Sequence, residues 1–600
     1  MADWHPVPGN IMTRWAKYLT PGNAWREHPR PQMTRPDWCN LNGLWEYAVT
    51  PNKNTTPQYE ETILVPFAIE SALSGVKQSL KPSQRLWYRR KFSIPKDWVE
   101  KRILLHFGAV DWEATVWVNE NQVGIHRGGY LPFHFDITDH LSPVENELVV
   151  SVWDPTDRSW GGRGKQVLNP EGIWYTAVSG IWQTVWLEPV PENHIQGLKI
   201  TPDIDAEQLE ITVSIQGDQD DLLVMATAYD GDTQIGVVSG HAGEPLRMPV
   251  VNPVLWRPDK PHLYDLHVEV YQDGQTIDRV GSYFGMRKFS IEPDDQGQLR
   301  LCLNNKPLFH YGPLDQGYWP DGLYTPPSEE AMIYDLEFLK QIGCNMVRKH
   351  IKVEPARYYY DCDRLGIIVW QDMVSGGSPI SPLLSTLLNP FNRLTRKDDR
   401  LYWRAGRARK ASREDYRREL KELVDHLHNF TCIGMWVPFN EGWGQFNAKE
   451  IAEWLKAYDH SRPVDHASGW FDQGSKDFRS IHTYFKALKP EYPDDKRAVI
   501  LSEFGGYALK VEGHIWNPET EFGYRKFNTK ETLTEAYIDL LETQLKPWIT
   551  RGLSGAVYTQ TTDVEIEING YLTYDREVVK MDLEKLKEAH KKLFDLPTEG

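Results

Sequence analysis

Two glutamates stand out because each closes an apolar run and meets a glycine. One lies in Trp436-Val437-Pro438-Phe439-Asn440-Glu441-Gly442, the other in Ile500-Leu501-Ser502-Glu503-Phe504-Gly505-Gly506. Such runs read as buried strands, and the glycines mark sharp turns. Two carboxyl groups at strand ends can work on one bond. A carboxylic acid protonates the leaving oxygen, while a carboxylate attacks the carbon or activates water. The charge of the second helps keep the first protonated near neutral pH. Glycoside hydrolysis needs this pair, and a separation of about 5–5.5 Å means a covalent intermediate and retention. A lone strand-end glutamate is more often structural; the paired placement makes the functional reading the better one.

The pair needs a scaffold that gathers strand ends at one mouth. From about residue 290, short apolar strands alternate with helical segments, the pattern of parallel βαβ units. Eight strands are expected: Leu308–Tyr311, Asn345–Lys349, Ile367–Trp370, Ile433–Pro438, Val464–Ala467, Ser480–Tyr484, Ala498–Ser502 and Gly555–Tyr558. Helices are expected at Ser328–Ile342 and Arg413–His428, among others. Residues 290–600 therefore predict a (β/α)8 TIM barrel, whose chemistry sits at the C-terminal strand ends. Glu441 ends the fourth strand and Glu503 the seventh, on opposite sides of the mouth.

Upstream the chain is all-β, so the fold class is multidomain β plus α/β. Residues 1–190 carry short alternating runs such as Leu86–Phe92 and Thr115–Val118, with a hairpin turn expected at Glu120-Asn121-Gln122. A jelly-roll β-sandwich fits them best. Residues 191–289 return strand signals about every ten residues, as in an immunoglobulin-like β-sandwich. The third barrel strand is followed by a long insertion, Met373 to about Ala411, ending in a basic run from Arg400 to Lys410. A solvated helix face or a subunit contact explains that run more simply than recognition of an anionic substrate.

A net charge of −17 argues against nucleic acid as a partner. No apolar run has the length of a membrane span. The start, MADWHPVPGNIM, shows no export signal, so a cytoplasmic location is expected. The odd set of Cys39, Cys302, Cys344, Cys362 and Cys432 reads as free thiols. Twenty-four tryptophans beside 28 tyrosines hint at sugar rings, which stack on aromatic faces, although cores claim most such residues. His426 and His428 sit in a predicted helix without a third ligand, so no metal is expected. Gly161-Gly162-Arg163-Gly164-Lys165 has the glycines and lysine of a phosphate loop, but it lacks the following Ser/Thr and opens no helix.

Motifs spread along the chain then resemble glycoside hydrolase family 2, the family of β-galactosidases, β-glucuronidases and β-mannosidases. They include Leu41-Asn42-Gly43-Leu44-Trp45, Val65-Pro66-Phe67-Ala68-Ile69-Glu70-Ser71, Leu86-Trp87-Tyr88-Arg89-Arg90, Gly180-Ile181-Trp182-Gln183, Leu255-Trp256-Arg257-Pro258, Phe284-Gly285-Met286-Arg287, Gly343–Arg348 and both glutamate motifs. The resemblance implies Glu441 as acid/base and Glu503 as nucleophile. It further implies that Asn440 hydrogen-bonds the sugar 2-hydroxyl, that Tyr484 contacts the nucleophile, and that Arg348 packs beneath it. His482 either contacts sugar or anchors its strand. Asp372, Trp443 and Trp470 follow strand ends and are further candidates for substrate binding. So are Asp315, Gln316, Trp319, His350, Lys352, Gln371 and Gln445.

The chain departs from better-known members in three places. Gly172–Gly180 lacks the aspartate that a sandwich loop carries into the sugar pocket; Trp174 or Tyr175 is expected to reach the mouth instead. Strand eight reads Ala556-Val557-Tyr558-Thr559-Gln560, which offers Tyr558 and Gln560 where a stacking tryptophan is usual. Glu567-Ile568-Asn569-Gly570 has no lysine of the Asn-x-Lys kind that holds a uronate. The expectation is a retaining exo-β-glycosidase that needs no cofactor and takes an oligosaccharide or glycoside substrate. It is β-galactosidase-like by family frequency, with homo-oligomerisation left open. The alternatives are a glycosidase for another sugar, including a uronic acid, and an inactive carbohydrate-binding protein.

Overall fold

The structure is a computed structural model that describes residues 4–51, 57–59, 61–218, 222–379, 397–484 and 496–594. Antiparallel strands built from alternating apolar residues form the first domain. A six-stranded sheet runs in the order Glu61–Val65, Gly43–Pro51, Gln84–Phe92, Asn146–Trp153, Glu113–Val118 and Asn121–Arg127. It faces a four-stranded sheet of Cys39–Asn40, Val185–Val190, Arg102–Phe107 and Phe133–Asp136. Their inward side chains, Trp45, Tyr88, Leu105, Val116 and Val150 among them, fill one core. The hairpin turn lies one residue earlier than the sequence suggests. Val118 pairs with Asn121, and the turn residues Asn119 and Glu120 both have positive φ, 47° and 68°. Two left-handed residues give the turn whose twist matches the flanking strands.

The middle domain packs a three-stranded sheet, His194–Asp203, Gln208–Gln216 and Leu246–Pro249, on a four-stranded one, Thr233–His241, Leu223–Asp230, Tyr264–Gln272 and Gln275–Phe284. Buried polar ties join it to its neighbours. Arg35 pairs with Asp278 at 2.8 Å and with Glu188 at 3.1 Å. Trp256 donates its indole N–H to the Asp363 carbonyl at 2.7 Å.

The third domain is the barrel. Its strands His310–Asp315, Met346–Lys349, Ile368–Asp372, Ile433–Val437, Phe478–Thr483, Ala498–Gly505 and Leu553–Thr559 form one curled parallel sheet of seven. The fifth position, expected at Val464–Ala467, is no regular strand. Asp465 N donates to Trp436 O at 2.9 Å and Ser468 N to Phe439 O at 2.8 Å, so it clings to the fourth strand by isolated bridges. Towards the sixth strand, side chains replace the ladder: Ser480 Oγ donates to Asp465 Oδ2 at 2.8 Å. The helix expected at Ser328–Ile342 spans Glu329–Gln341, and Ser328 caps it by accepting from Ala331 N. The one expected at Arg413–His428 spans Lys410–Leu427.

Residues 380–396 of the insertion lie outside the described residues. In its basic run, Arg407 is buried and donates to Gly444 O at 3.1 Å and to Ser412 Oγ at 3.0 Å. It braces the turn after Glu441. All five cysteines are free, Cys39 half-buried and the others buried. No described helix is long and apolar enough to cross a membrane.

Candidate active site

Glu503 sits inside its strand and is 4% exposed, whereas Glu441 lies in the turn beyond its strand at φ 48°. That left-handed conformation is uncommon for a residue with a side chain, and such strain recurs at active sites. Gly442 continues the turn at φ 76°, where a Cβ would lie 2.4 Å from the Phe471 ring. The two carboxylates converge. One oxygen of each and a ring nitrogen of His482 lie within 4.8 Å of one another.

Glu503 is held from three sides. Arg348 Nη1 donates to its Oε1 at 3.1 Å, and the Tyr484 hydroxyl donates to Oε2. His482 Nε2 stands 3.7 Å from Oε1. Burial pushes this carboxyl up, but His482, Arg348 and the Tyr484 hydroxyl outweigh it and hold the group below the usual carboxylate range. Among the described residues the Glu441 carboxylate has one close partner, His482 Nδ1, at 2.8 Å. One carboxyl group is thus fixed as an anion, and the other has a single imidazole beside it.

Asn440 divides its amide between protein and pocket. Its Oδ1 accepts from Arg348 Nη2 at 2.8 Å, while Nδ2 is buried without a partner among the described residues. Other buried polar atoms without partners among the described residues are His350 Nε2, Gln560 Nε2 and Asn569 Oδ1. His350 Nε2 is 4.0 Å from Glu503 Oε1. A relay links these groups, with His350 Nδ1 at 2.8 Å from Gln316 Oε1 and Gln316 Nε2 donating to Gln560 Oε1 at 2.8 Å. Burial keeps His350 well below its ordinary pKa, hence neutral, so its free Nε2 accepts. Unsatisfied buried groups are costly, and a hydroxyl-rich ligand would satisfy both the donors and the acceptors.

Aromatic rings wall the space. Trp443 and Trp174 lie with centroids 4.9 Å apart. Tyr484 stacks on Tyr524 at 4.1 Å, and Trp470 stands 6.1 Å from His482. Trp174 and Tyr175 belong to the first domain, so its loop crosses to the barrel, where the Tyr175 hydroxyl donates to Glu567.

Several expected residues are placed differently. Tyr558 does not reach the pocket. Strand alternation turns it outward, with its ring 4.9 Å from Tyr537 and 4.8 Å from Tyr571 and its hydroxyl accepting from Tyr507 N. Asp372 is fully committed to Arg348 at 3.0 and 2.9 Å and to Ile351 N, so it orients the arginine and offers nothing to a ligand. His482 anchors: Nδ1 meets Glu441 and Nε2 meets Ser468 Oγ at 3.0 Å. That also bears on metals. Glu441, His482 and Glu503 are the one potential ligand cluster among the described residues, yet both nitrogens of the histidine are already engaged. Asp315 and Lys352 belong to a buried ion network with Lys349 and Glu354. Gln371 bonds Tyr359 and backbone, and Trp319 packs under the Arg576 guanidinium at 3.8 Å.

Lys165, Glu567, Asn569 and Tyr524 also lie by these groups, and the sequence marks none of them as a binding residue: Lys165 stands in a glycine-rich run that fails the phosphate-loop pattern, and Glu567 and Asn569 in a stretch without the lysine of an Asn-x-Lys motif.

Comparison with known proteins agrees with this layout. Three family models match in consecutive order: "Glycosyl hydrolases family 2, sugar binding domain" over residues 76–191, "Glycosyl hydrolases family 2" over 193–287, and "Glycosyl hydrolases family 2, TIM barrel domain" over 301–593. The chain belongs to glycoside hydrolase family 2. It is 26% identical over 478 residues to a putative beta-glucuronidase of Formosa agariphila, covering 73% of this chain and 52% of that protein. It is 27% identical over 387 residues to a beta-galactosidase of Lactococcus lactis, covering 64% and 35%. The chain thus spans about half or less of the length of these relatives. Among solved structures, the fold is similar to a beta-D-glucuronidase of Dictyoglomus thermophilum, with a TM-score of 0.71 at 19% identity over 95% of this chain and 99% of that one. It is also similar to the Ruminococcus gnavus beta-glucuronidase in complex with uronic isofagomine, with a TM-score of 0.71 at 17% identity over 94% and 99%.

Proposed function

We propose that the chain is a retaining exo-β-glycosidase, with Glu503 as nucleophile and Glu441 as acid/base. The single observation that carries this reading is the approach of the two carboxylates to within 4.8 Å. Inversion needs room for a water, about 6.5–9.5 Å between carboxyl groups; retention needs about 5–5.5 Å. Glu503 attacks the anomeric carbon while Glu441 protonates the departing oxygen. Glu441 then takes a proton from the water that releases the sugar. Asn440 Nδ2 donates to the hydroxyl next to the anomeric carbon, while Tyr484 and Arg348 keep the nucleophile aligned and ionised.

The substrate is a glycoside or oligosaccharide with a terminal β-linked sugar. A β-galactoside is the first neutral candidate by analogy with relatives. A second reading, an acidic glycone, is favoured by Lys165, which is buried with its Nζ 5.3 Å from the centroid of the Trp443 ring. Hydrolysis of a panel of aryl β-glycosides, followed by NMR of the first-formed sugar anomer, tests the proposal. The β-anomer is expected; an α-anomer as first product, or no turnover of any member, refutes it.

A further inference from the structure

We propose that Lys165, supplied by the first domain, is a specificity-determining residue whose ammonium receives an anionic substituent of the glycone, a carboxylate as in a uronic acid. This rests on the glycosidase reading above and names its substrate class.

The glycine-rich run before Lys165 docks on the barrel. Arg163 N and Gly164 N donate to Ser375 O at 2.9 and 3.0 Å, Gly162 bridges Gly376, and Arg163 Nη1 donates to Gly377 O at 2.8 Å. Gly164 has φ +59°, and a Cβ there would meet Ile351 O at 2.8 Å, so the close approach needs glycine. On the other side, Tyr175 N donates to Lys165 O at 3.0 Å, and the Gln166 side chain is locked by Asp111, Tyr130 and Val178. The lysine backbone is therefore fixed from both directions.

Its side chain ends among three rings. Nζ lies 5.3 Å from the Trp443 centroid, 5.4 Å from Tyr175 and 5.9 Å from Trp174. The residue is 5% exposed. Burial lowers its pKa, against the charges of Glu567, Glu503 and Glu441 and together with that of Arg348. The Trp443 ring it faces stands 6.1 Å from His350, the neighbour of Glu503, so the lysine borders the same pocket. Nζ forms no hydrogen bond or ion pair among the described residues. Glu567, the strongest of those charges, is turned to other donors: the Tyr175 hydroxyl and Asn569 Nδ2, the latter at 2.9 Å.

A buried ammonium with unused N–H donors is costly unless something pairs it. The rings attract the cation but accept no strong hydrogen bond. A sugar hydroxyl would accept one N–H as a neutral group, whereas a carboxylate accepts the N–H donors in charge-assisted hydrogen bonds, which are about twice as strong. The position expected for a uronate-binding lysine holds Glu567-Ile568-Asn569-Gly570. The cation enters from another domain, beside the Tyr175 ring whose hydroxyl bonds Glu567.

Binding of free sugars to the full chain, read by tryptophan fluorescence, tests this apart from turnover. D-glucuronate is compared with D-glucose, and D-galacturonate with D-galactose. At least one acid should bind about 30-fold or more tighter than its neutral counterpart, the scale of a buried charge pair. Lys165→Met should abolish that preference, and Lys165→Arg should keep part of it, which also controls for folding. Equal binding of acid and neutral sugars by the wild type, or a preference that survives in Lys165→Met, overturns the proposal. If no aryl glycoside is turned over, the glycosidase reading fails, while the binding preference still decides the role of Lys165.

Discussion

Arg348 Nη1 lies 3.1 Å from Glu503 Oε1, and the same guanidinium holds Asn440 by its other terminal nitrogen at 2.8 Å. One buried cation thereby fixes both the group proposed to attack the anomeric carbon and the amide proposed to hold the neighbouring hydroxyl. Asp372 keeps that cation in place.

Replacing Arg348 by Met removes one of the charges that outweigh burial at Glu503. The carboxyl pKa then rises, so the nucleophile is protonated at a higher pH than before. The acid limb of kcat/KM should move upward, and kcat/KM at its optimum should fall about 10²-fold, the scale of misplacing the reacting groups. A pH–rate profile checks both.

His482→Phe should behave as the loss of a positioning group. Its Nδ1 contact orients Glu441, so leaving groups that need protonation should suffer most. An alkyl glycoside should lose up to about 10²-fold in kcat/KM, within the range of general-acid contributions. A dinitrophenyl glycoside should lose far less in its glycosylation step. Equal losses on both substrates would count against the role.

The two glutamates should answer differently to azide. Glu503→Ala should lose the covalent step, and azide should yield a glycosyl azide of inverted configuration. Glu441→Ala should still glycosylate from an activated leaving group, with azide restoring turnover and retained configuration. Exchanged stereochemistries would exchange the assignments.

Trp182→Ala should destabilise the joint between the first domain and the barrel. Trp182 is fully buried, donates to Gly129 O at 2.7 Å, and its carbonyl accepts from Thr325 Oγ1. A loss of about 3–5 kcal/mol is expected for such a truncation, read as a lower Tm.

The sequence reveals the glutamates because each follows an apolar run and is soon followed by glycine, a local pattern. The fifth barrel strand eludes it, because Val464–Ser468 bonds by isolated bridges and side chains and not by a full ladder. Tyr558 faces away from the pocket against Tyr537 and Tyr571, while Gln560, just beyond the strand's end at Thr559, has a buried amide nitrogen without a partner among the described residues. Lys165 was illegible: nothing in a glycine-rich loop of one sandwich tells that it crosses to the barrel of another domain.

Covalent trapping addresses the central claim most directly. The chain is incubated with the 2-deoxy-2-fluoro β-glycoside of whichever sugar the aryl panel selects, then digested and mapped by mass spectrometry. A glycosyl adduct on Glu503, in the Ile500–Gly506 peptide, is the predicted result. An adduct on another carboxylate, or turnover that inverts configuration with no adduct formed, would contradict it.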